Sequence, residues 1–288
     1  MQPTVERVLV RCGGHEVAVD AHLLDDGRPP VAFFHGLLTS TAIAPYLFAD
    51  PAAESWIAVS LPGHRPGRLA PATRAEAIDA ELFATLAEAG IAGVVGDRPV
   101  VAVGWSTGGF TALNLAIRRP GRVAAVASLA GFASGRRITG SVAWLAWLAR
   151  GLVGAAGVRT GLRAGGRFAW LHDAFVRSAT ASQGPAPELL AALREEFARH
   201  DPAEVTAVLA ALGGLDISAR LGEIAVPVWV VGGQRDPLVP AAESRRLAAA
   251  IPAARLTIYE PAGHLFFSEW PRFREDFAAW RRGLPELA

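Results

Sequence analysis

Residues 100–110, VVAVGWSTGGF, hold one serine among glycines where an apolar run gives way to a helical one. With no side chains at Gly104 and Gly108, a strand can turn sharply into a helix. Ser106 is then held in strained backbone with its hydroxyl exposed, the geometry of a nucleophile elbow. Amide N–H groups at the start of the following helix favour negative charge developing on a bound oxygen. A serine hydroxyl is a weak nucleophile alone and needs a base, whose imidazole needs an orienting carboxylate. Two late residues each follow a strand-like run: Asp236 in GGQRDPLVP, after VPVWVVGG, and His264 in PAGHLFF, after RLTIYE. The chain order is serine, aspartate, histidine. Asp216, in GLDISARL, competes for the carboxylate position, but it precedes its strand and reads better as a helix cap.

Such a set needs a scaffold that ends several strands along one edge, and the chain alternates accordingly. VERVLVR and HEVAVDAHLL, joined at Gly13 and Gly14, read as a hairpin. PPVAFFHG and SWIAVSLPGH read as buried strands with a helical stretch between them. Residues 73–90 carry the signals of a crossover helix: an N-cap threonine, early acids, helical apolar spacing and a terminal glycine. VVAVGW, then GGFTALNLAIRRPG, then RVAAVASLAGFA continue as strand, helix and strand. From 134 to 214 the alternation stops. This stretch is rich in Trp, Arg and Ala, with helical patterns near 143–150, 167–177 and 187–200 and no convincing strand. VPVWVVGGQRD and ARLTIYEPAGH restore the strands, and a helix near 271–282 closes the chain. The expected fold is α/β, a mostly parallel sheet with helices on both faces. Its core is formed by residues 1–133 and 215–288, and residues 134–214 form an inserted helical cap.

Composition narrows the chemistry. The 288 residues are 51% hydrophobic and carry a net charge of +1, which gives no field to attract nucleic acid. All 28 basic residues are arginine, which removes Schiff-base and Ser-Lys catalysis. The single Cys12 cannot close an intramolecular disulfide and reads as a small buried hydrophobe. The amino terminus lacks a secretory apolar core, so a cytoplasmic protein is expected. Residues 141–158, the most apolar stretch, are interrupted by Arg150 and glycines and do not read as a transmembrane span. His15, His22, His172 and His200 show no metal-ligand spacing, and GWSTGG lacks the spacing of a dinucleotide loop, so neither metal nor cofactor is expected.

FFHG (33–36), LPGH (61–64), GWSTGG (104–109), GGQRDPLVP (232–240) and AGHLFFSEWPRF (262–273) occur in that order. With these motifs the chain resembles the α/β-hydrolase-fold serine hydrolases, in the branch of small capped esterases and carbon-carbon bond hydrolases. GWSTGG and GHLFFSEWP are similar to the esterases of pimeloyl-carrier-protein methyl esters. The resemblance implies Ser106 as nucleophile, His264 as general base and then acid, and Asp236 as orienting carboxylate. It implies an oxyanion hole from the backbone N–H groups of Leu37 and Thr107, with His35 bracing the loop that aims Leu37. Where the family usually shows an acid before LPGH and a glycine after it, this chain has Ser60 and Arg65, which places Arg65 either near the site or in solvent.

The expected reaction is cleavage of a carboxylic ester of a hydrophobic small molecule. Thioesterase, carbon-carbon hydrolase and acyltransferase chemistry use the same residues, and a small-ligand receptor on the same fold is the non-enzymatic alternative. His35, Trp105, Trp144, Trp147 and Trp170, with Phe168 and Phe175, are candidates for the substrate wall. Between 134 and 178 stand seven arginines (136, 137, 150, 159, 163, 167 and 177) and one acid, Asp173. A basic face of that kind suits an acidic substrate, an acidic carrier protein or an anionic membrane surface; arginine stems covering a helix are the plainer reading.

Overall fold

A computed structural model describes residues 3–180, 184–252, 254–269 and 272–284. Eight strands form one sheet in the order β1-β2-β4-β3-β5-β6-β7-β8. β1 (Glu6–Cys12) and β2 (His15–His22) are the expected hairpin, turning at Gly13 and Gly14, both at positive φ. β2 also pairs antiparallel with β4, and every later pairing is parallel. β3 (Val31–Phe34), β4 (Trp56–Val59), β5 (Val100–Trp105) and β7 (Val228–Gly233) are buried at every residue. β6 (Val123–Leu129) is buried at all but one. Both of their faces are covered, which is why they read as continuous apolar runs rather than alternating ones. β8 (Arg255–Tyr259) closes the far edge and is more exposed. Cys12, at the hairpin, is half-buried rather than buried.

Parallel register brings the carboxyl ends of the strands together. Phe34 pairs with Gly104, Gly104 with Ser128, and Gly233 with Tyr259. The loops carrying His35, Ser106, Asp236 and His264 therefore leave the sheet along one edge, where open α/β sheets place their ligands.

Two helical expectations shift. The crossover helix α1 spans Ala80–Val95, not 73–90, with a short 3-10 turn at Ala75–Ala77 before it. Asp79 starts it by accepting from the Leu82 N–H at 2.8 Å. The helix runs through Gly90 because that glycine faces the sheet: a Cβ there would stand 2.8 Å from Val59 Cγ1 and 3.0 Å from Val17 Cγ1. The stop is Gly96, at φ 61°. Between β3 and β4 the chain forms 3-10 turns at Thr41–Leu47 and Pro51–Ala53 rather than an α-helix, with Pro45 inside the first. α2 (Thr107–Arg118) follows β5 directly.

Among the described residues, five α-helices lie between β6 and β7: α3 (Gly140–Leu148), α4 (Leu152–Arg167), α5 (Ala169–Ser178), α6 (Pro187–Arg199) and α7 (Pro202–Ala211). The two ends of this segment meet, with Ile217 N donating to Ala133 O and Gly135 N to Leu215 O, both at 2.9 Å. α3, α5 and α6 match the helical patterns near 143–150, 167–177 and 187–200. α4 escapes a propensity reading because it contains five glycines, each unfavourable in a helix interior. It forms because Val158 and Gly165 pack inward; a Cβ on Gly165 would lie 2.9 Å from Phe197 of α6. α8 (Ala241–Ala250), α9 (Phe266–Glu269) and α10 (Arg272–Arg282) complete the chain. Pro271, where the last helix was expected to begin, lies outside the described residues. No helix among the described residues is long and apolar enough to cross a membrane.

Candidate active site

Ser106 sits between β5 and α2 at φ 57°, ψ −117°, a left-handed conformation that costs a non-glycine residue of order 1–3 kcal/mol. Its surroundings fix it there. A Cβ on Gly104 would fall 1.9 Å from Gly108 O, and one on Gly108 would fall 1.9 Å from Phe34 O. The elbow is pressed against both itself and β3, so no side chain fits at either glycine. Ser106 N donates to Leu129 O at 2.8 Å, tying the turn to β6.

The Asp236 carboxylate, in the turn after β7, is held from three directions. Oδ1 accepts from the Leu238 and Val239 amides at 2.8 and 2.9 Å, and Oδ2 lies 2.7 Å from His264 Nδ1. Both side chains are buried. The carboxylate thus places the proton on Nδ1 and leaves Nε2 to accept. Trp105 Nε1 donates to the His264 carbonyl at 2.9 Å, and the two rings lie 5.2 Å apart. From the helical segment, Ala179 O accepts from His264 N at 2.8 Å.

Ser106, Thr107, Leu37, Trp105 and His264 border one small cavity of about 60 Å³, closed over by apolar residues of α3, α5 and α6. Neither the Leu37 nor the Thr107 amide has a protein acceptor among the described residues. Thr107 is the first residue of α2, where amides have no intrahelical partner. Both residues border the cavity that Ser106 and His264 also border.

His35 does not reach the cavity. It is fully buried, its Nε2 accepting from Leu61 N at 3.1 Å and its Nδ1 donating to Gly36 O at 2.8 Å. Its place is behind the Leu37 loop. His64 does the same one residue on, accepting from Leu38 N at 3.1 Å. His200, at the end of α6, accepts from Arg65 N at 3.1 Å and stacks edge-on to His64 at 5.2 Å, as His64 does to His35 at 5.3 Å. This column of imidazoles is not legible from spacing, since its members are 29 and 136 residues apart in the chain. Arg65 neither enters the cavity nor stands free; it faces Asp201 at 3.9 Å and Glu204 at 3.8 Å. Asp216 accepts from Ser218 N at 2.9 Å ahead of a 3-10 turn at Ser218–Glu223, whose N-cap is Ile217, so it caps no α-helix.

The expected tryptophan wall is placed differently. Trp105 lines the cavity, but Trp144, Trp147 and Trp170 are 61%, 64% and 70% exposed. α3 turns Val142 and Ala146 inward, and α5 turns His172 and Val176 inward, so these tryptophans take the opposite faces. Phe168 is exposed too, whereas Phe175 does line the cavity. The roof is made by Phe175 together with Val142, His172, Val176, Leu193 and Phe197, and of these only Phe175 was expected there. Among the described residues, no three or more His, Cys, Asp or Glu side chains gather as metal ligands do.

The imidazole column makes stability depend on acid. Burial, followed for His200 by the nearness of His64, lowers His64 to about 4 and His200 to about 3 from the ordinary 6.5. His35 is held well below its ordinary value for the same reason, burial first and His64 second. The unfolded chain takes up protons on acidification before the folded chain does. The stability of the neutral rings is therefore complete above about pH 6.5 and is lost as pH falls toward the folded values. Between about pH 7 and pH 5, His64 and His200 should each cost roughly 2 kcal/mol. Urea unfolding of His200→Gln is expected to show that much less loss over this interval than the wild type. An equal loss in both would remove His200 from the account.

A family model described as alpha/beta hydrolase fold matches residues 29–271. The pimeloyl-[acyl-carrier protein] methyl ester esterase of Chromobacterium violaceum is 31% identical over 210 residues, 73% of this chain and 76% of that protein. The protein of the same name from Neisseria meningitidis is 29% identical over 239 residues, covering 82% and 70%. The crystal structure of the enol-lactonase from Burkholderia xenovorans LB400 superposes with a TM-score of 0.73 at 20% identity, over 96% of this chain and all of that one, a likeness of fold.

Proposed function

Because the chain belongs to the α/β-hydrolase fold family, we propose that it is a serine hydrolase acting on the carboxylic ester of an apolar small molecule, with Ser106, His264 and Asp236 as its triad. The observation that carries this reading is the 2.7 Å contact between Asp236 Oδ2 and His264 Nδ1, with His264 and Ser106 bordering one apolar cavity. Ser106 Oγ attacks the acyl carbon while His264 Nε2 takes its proton, and the tetrahedral oxyanion rests on the Leu37 and Thr107 amides. The alcohol leaves with the proton from His264, giving an acyl-enzyme. Water then gives its proton to Nε2, attacks the acyl carbon, and the acid departs as the proton returns to Ser106. Residues 134–214 act as a cap that shields this exchange and shapes the acyl or alcohol pocket. A carrier-linked ester is a second reading, favoured by the named substrate of the two esterase relatives and by the arginines of the cap.

Intact-mass measurement after a fluorophosphonate probe tests the reading. One adduct is expected on the wild type and none on folded Ser106→Ala or His264→Ala. An unlabelled, folded wild type whose cavity admits the probe, or a labelled Ser106→Ala, overturns it.

A further inference from the structure

Among the described residues, six of the ten large hydrophobic side chains that stand exposed fall within residues 144–170: Trp144, Trp147, Leu152, Val153, Phe168 and Trp170. Leu152 and Val153, opening α4, are 93% and 89% exposed, with no packing among the described residues to cover them. Monomeric proteins seldom leave such a concentration bare without a surface to meet. Within this stretch of the chain the charge has one sign, and two acids from elsewhere, Glu76 and Asp79, share a groove with Leu152 at its edge. From residue 98 to residue 172 the sequence contains no Asp or Glu. Arg163 and Arg167 of α4 are exposed, and neither pairs with a carboxylate among the described residues. The first acid beyond, Asp173, is already taken by Arg194 at 2.6 Å.

We propose that the outer face of α3, α4 and the start of α5 binds the surface of an anionic phospholipid bilayer. Tryptophan and phenylalanine rings suit the headgroup level, leucine and valine at the tip of α4 reach the acyl boundary, and the arginines meet anionic headgroups. An acidic protein could also cover the two aliphatic side chains, but aliphatic residues at a helix start flanked by tryptophans and a phenylalanine, with arginines alongside, have the composition of an interfacial anchor, and the bilayer is the occupant it suits. A second feature opens on the same face. Trp144 of α3 and Leu171 of α5 border an apolar groove of about 410 Å³, together with Gly157 and Gly161 of α4. A Cβ on either glycine would meet nothing within 4 Å, so close packing does not require them. The groove shares Leu38, His172, Phe175 and Phe197 with the small cavity at Ser106. A face seated on lipid would therefore offer apolar molecules dissolved there a lined way inward.

The test is co-sedimentation of the full chain with phosphatidylcholine vesicles, with and without about a third phosphatidylglycerol. Binding is expected on the anionic vesicles, weakening several-fold as salt rises from about 0.1 to about 0.5 M. Trp147→Ala/Leu152→Ser/Val153→Ser should lower the partition coefficient by about tenfold or more. None of these three side chains touches the cavity, so hydrolysis of a short, water-soluble ester should stay unchanged and reports that the variant is folded. The wild type failing to sediment with anionic vesicles overturns the proposal, as does a variant that binds as well as the wild type. Self-association that the triple variant abolishes, without vesicle binding, assigns the face to a second copy of the chain instead. Because vesicle binding is read without turnover, its failure is distinct from failure of the hydrolase reading.

Discussion

Ser106→Ala is expected to lower kcat for an ester by on the order of 10⁴- to 10⁶-fold while the protein stays folded. The proposed mechanism uses no other hydroxyl at the cavity: besides Ser106 these belong to Thr39, which donates to Gly36 O at 2.8 Å, and to Thr107, buried at the start of α2. What remains in the variant is the oxyanion site and the bound substrate, which hold a reactant in place without attacking it. The same position separates chemistry from strain. Alanine keeps a Cβ at φ 57° and so keeps the conformational cost, whereas Ser106→Gly should remove activity and raise the melting temperature, because glycine occupies that region freely. Steady-state rates and thermal unfolding of the two variants check both halves. Near-wild-type turnover in either would end the role given to Ser106.

Asp236→Asn should cost about 10⁴-fold in kcat, nearly as much, for a reason specific to how the carboxylate is held. Oδ1 accepts two backbone N–H groups, from Leu238 and Val239, and cannot be exchanged for an NH₂ without setting donor against donor twice. The asparagine oxygen therefore stays on that side and its nitrogen faces His264 Nδ1. That nitrogen donates, so Nδ1 must accept and the ring proton moves to Nε2, the atom that should take the serine proton. The variant would fold with the wrong tautomer in the right place. Activity should return in part at high pH if hydroxide replaces the base, so a rate profile from about pH 6 to about pH 10 distinguishes a tautomer defect from a collapsed site. Loss of the fold rather than the rate would instead point to a purely structural role.

The strands and the elbow were legible because their causes are local. Runs such as VVAVGW and VWVVGG are apolar throughout because both faces of the sheet are covered, and the glycines around Ser106 answer to contacts below 2 Å that admit no side chain. The parts that were not legible depend on packing across long distances in the chain. α4 is a helix in spite of its glycines because α6 supplies a surface for it. His200 gains its place only when the end of α6 meets the loops after β3 and β4. The tryptophans show the limit most plainly. Residue type alone drew Trp144, Trp147 and Trp170 toward the substrate, but the inward face of each helix was already taken by smaller aliphatic side chains or by His172.

The way the helical segment is attached bears on how such a protein can diversify. Its two ends leave the sheet side by side, joined by the hydrogen bonds between residues 133–135 and 215–217, so the stretch between them can lengthen, shorten or be exchanged without threading the core anew. One bond at the proposed catalytic loop limits that freedom. Ala179 O, at the end of α5, holds the backbone N–H of His264, so any replacement must return a carbonyl to the same point or leave that amide unpartnered and the loop less firmly placed. Lineages descending from this architecture should therefore vary freely in helix number and sequence over the site while retaining one acceptor of fixed position, supplied by main chain and thus invisible to a comparison of side chains.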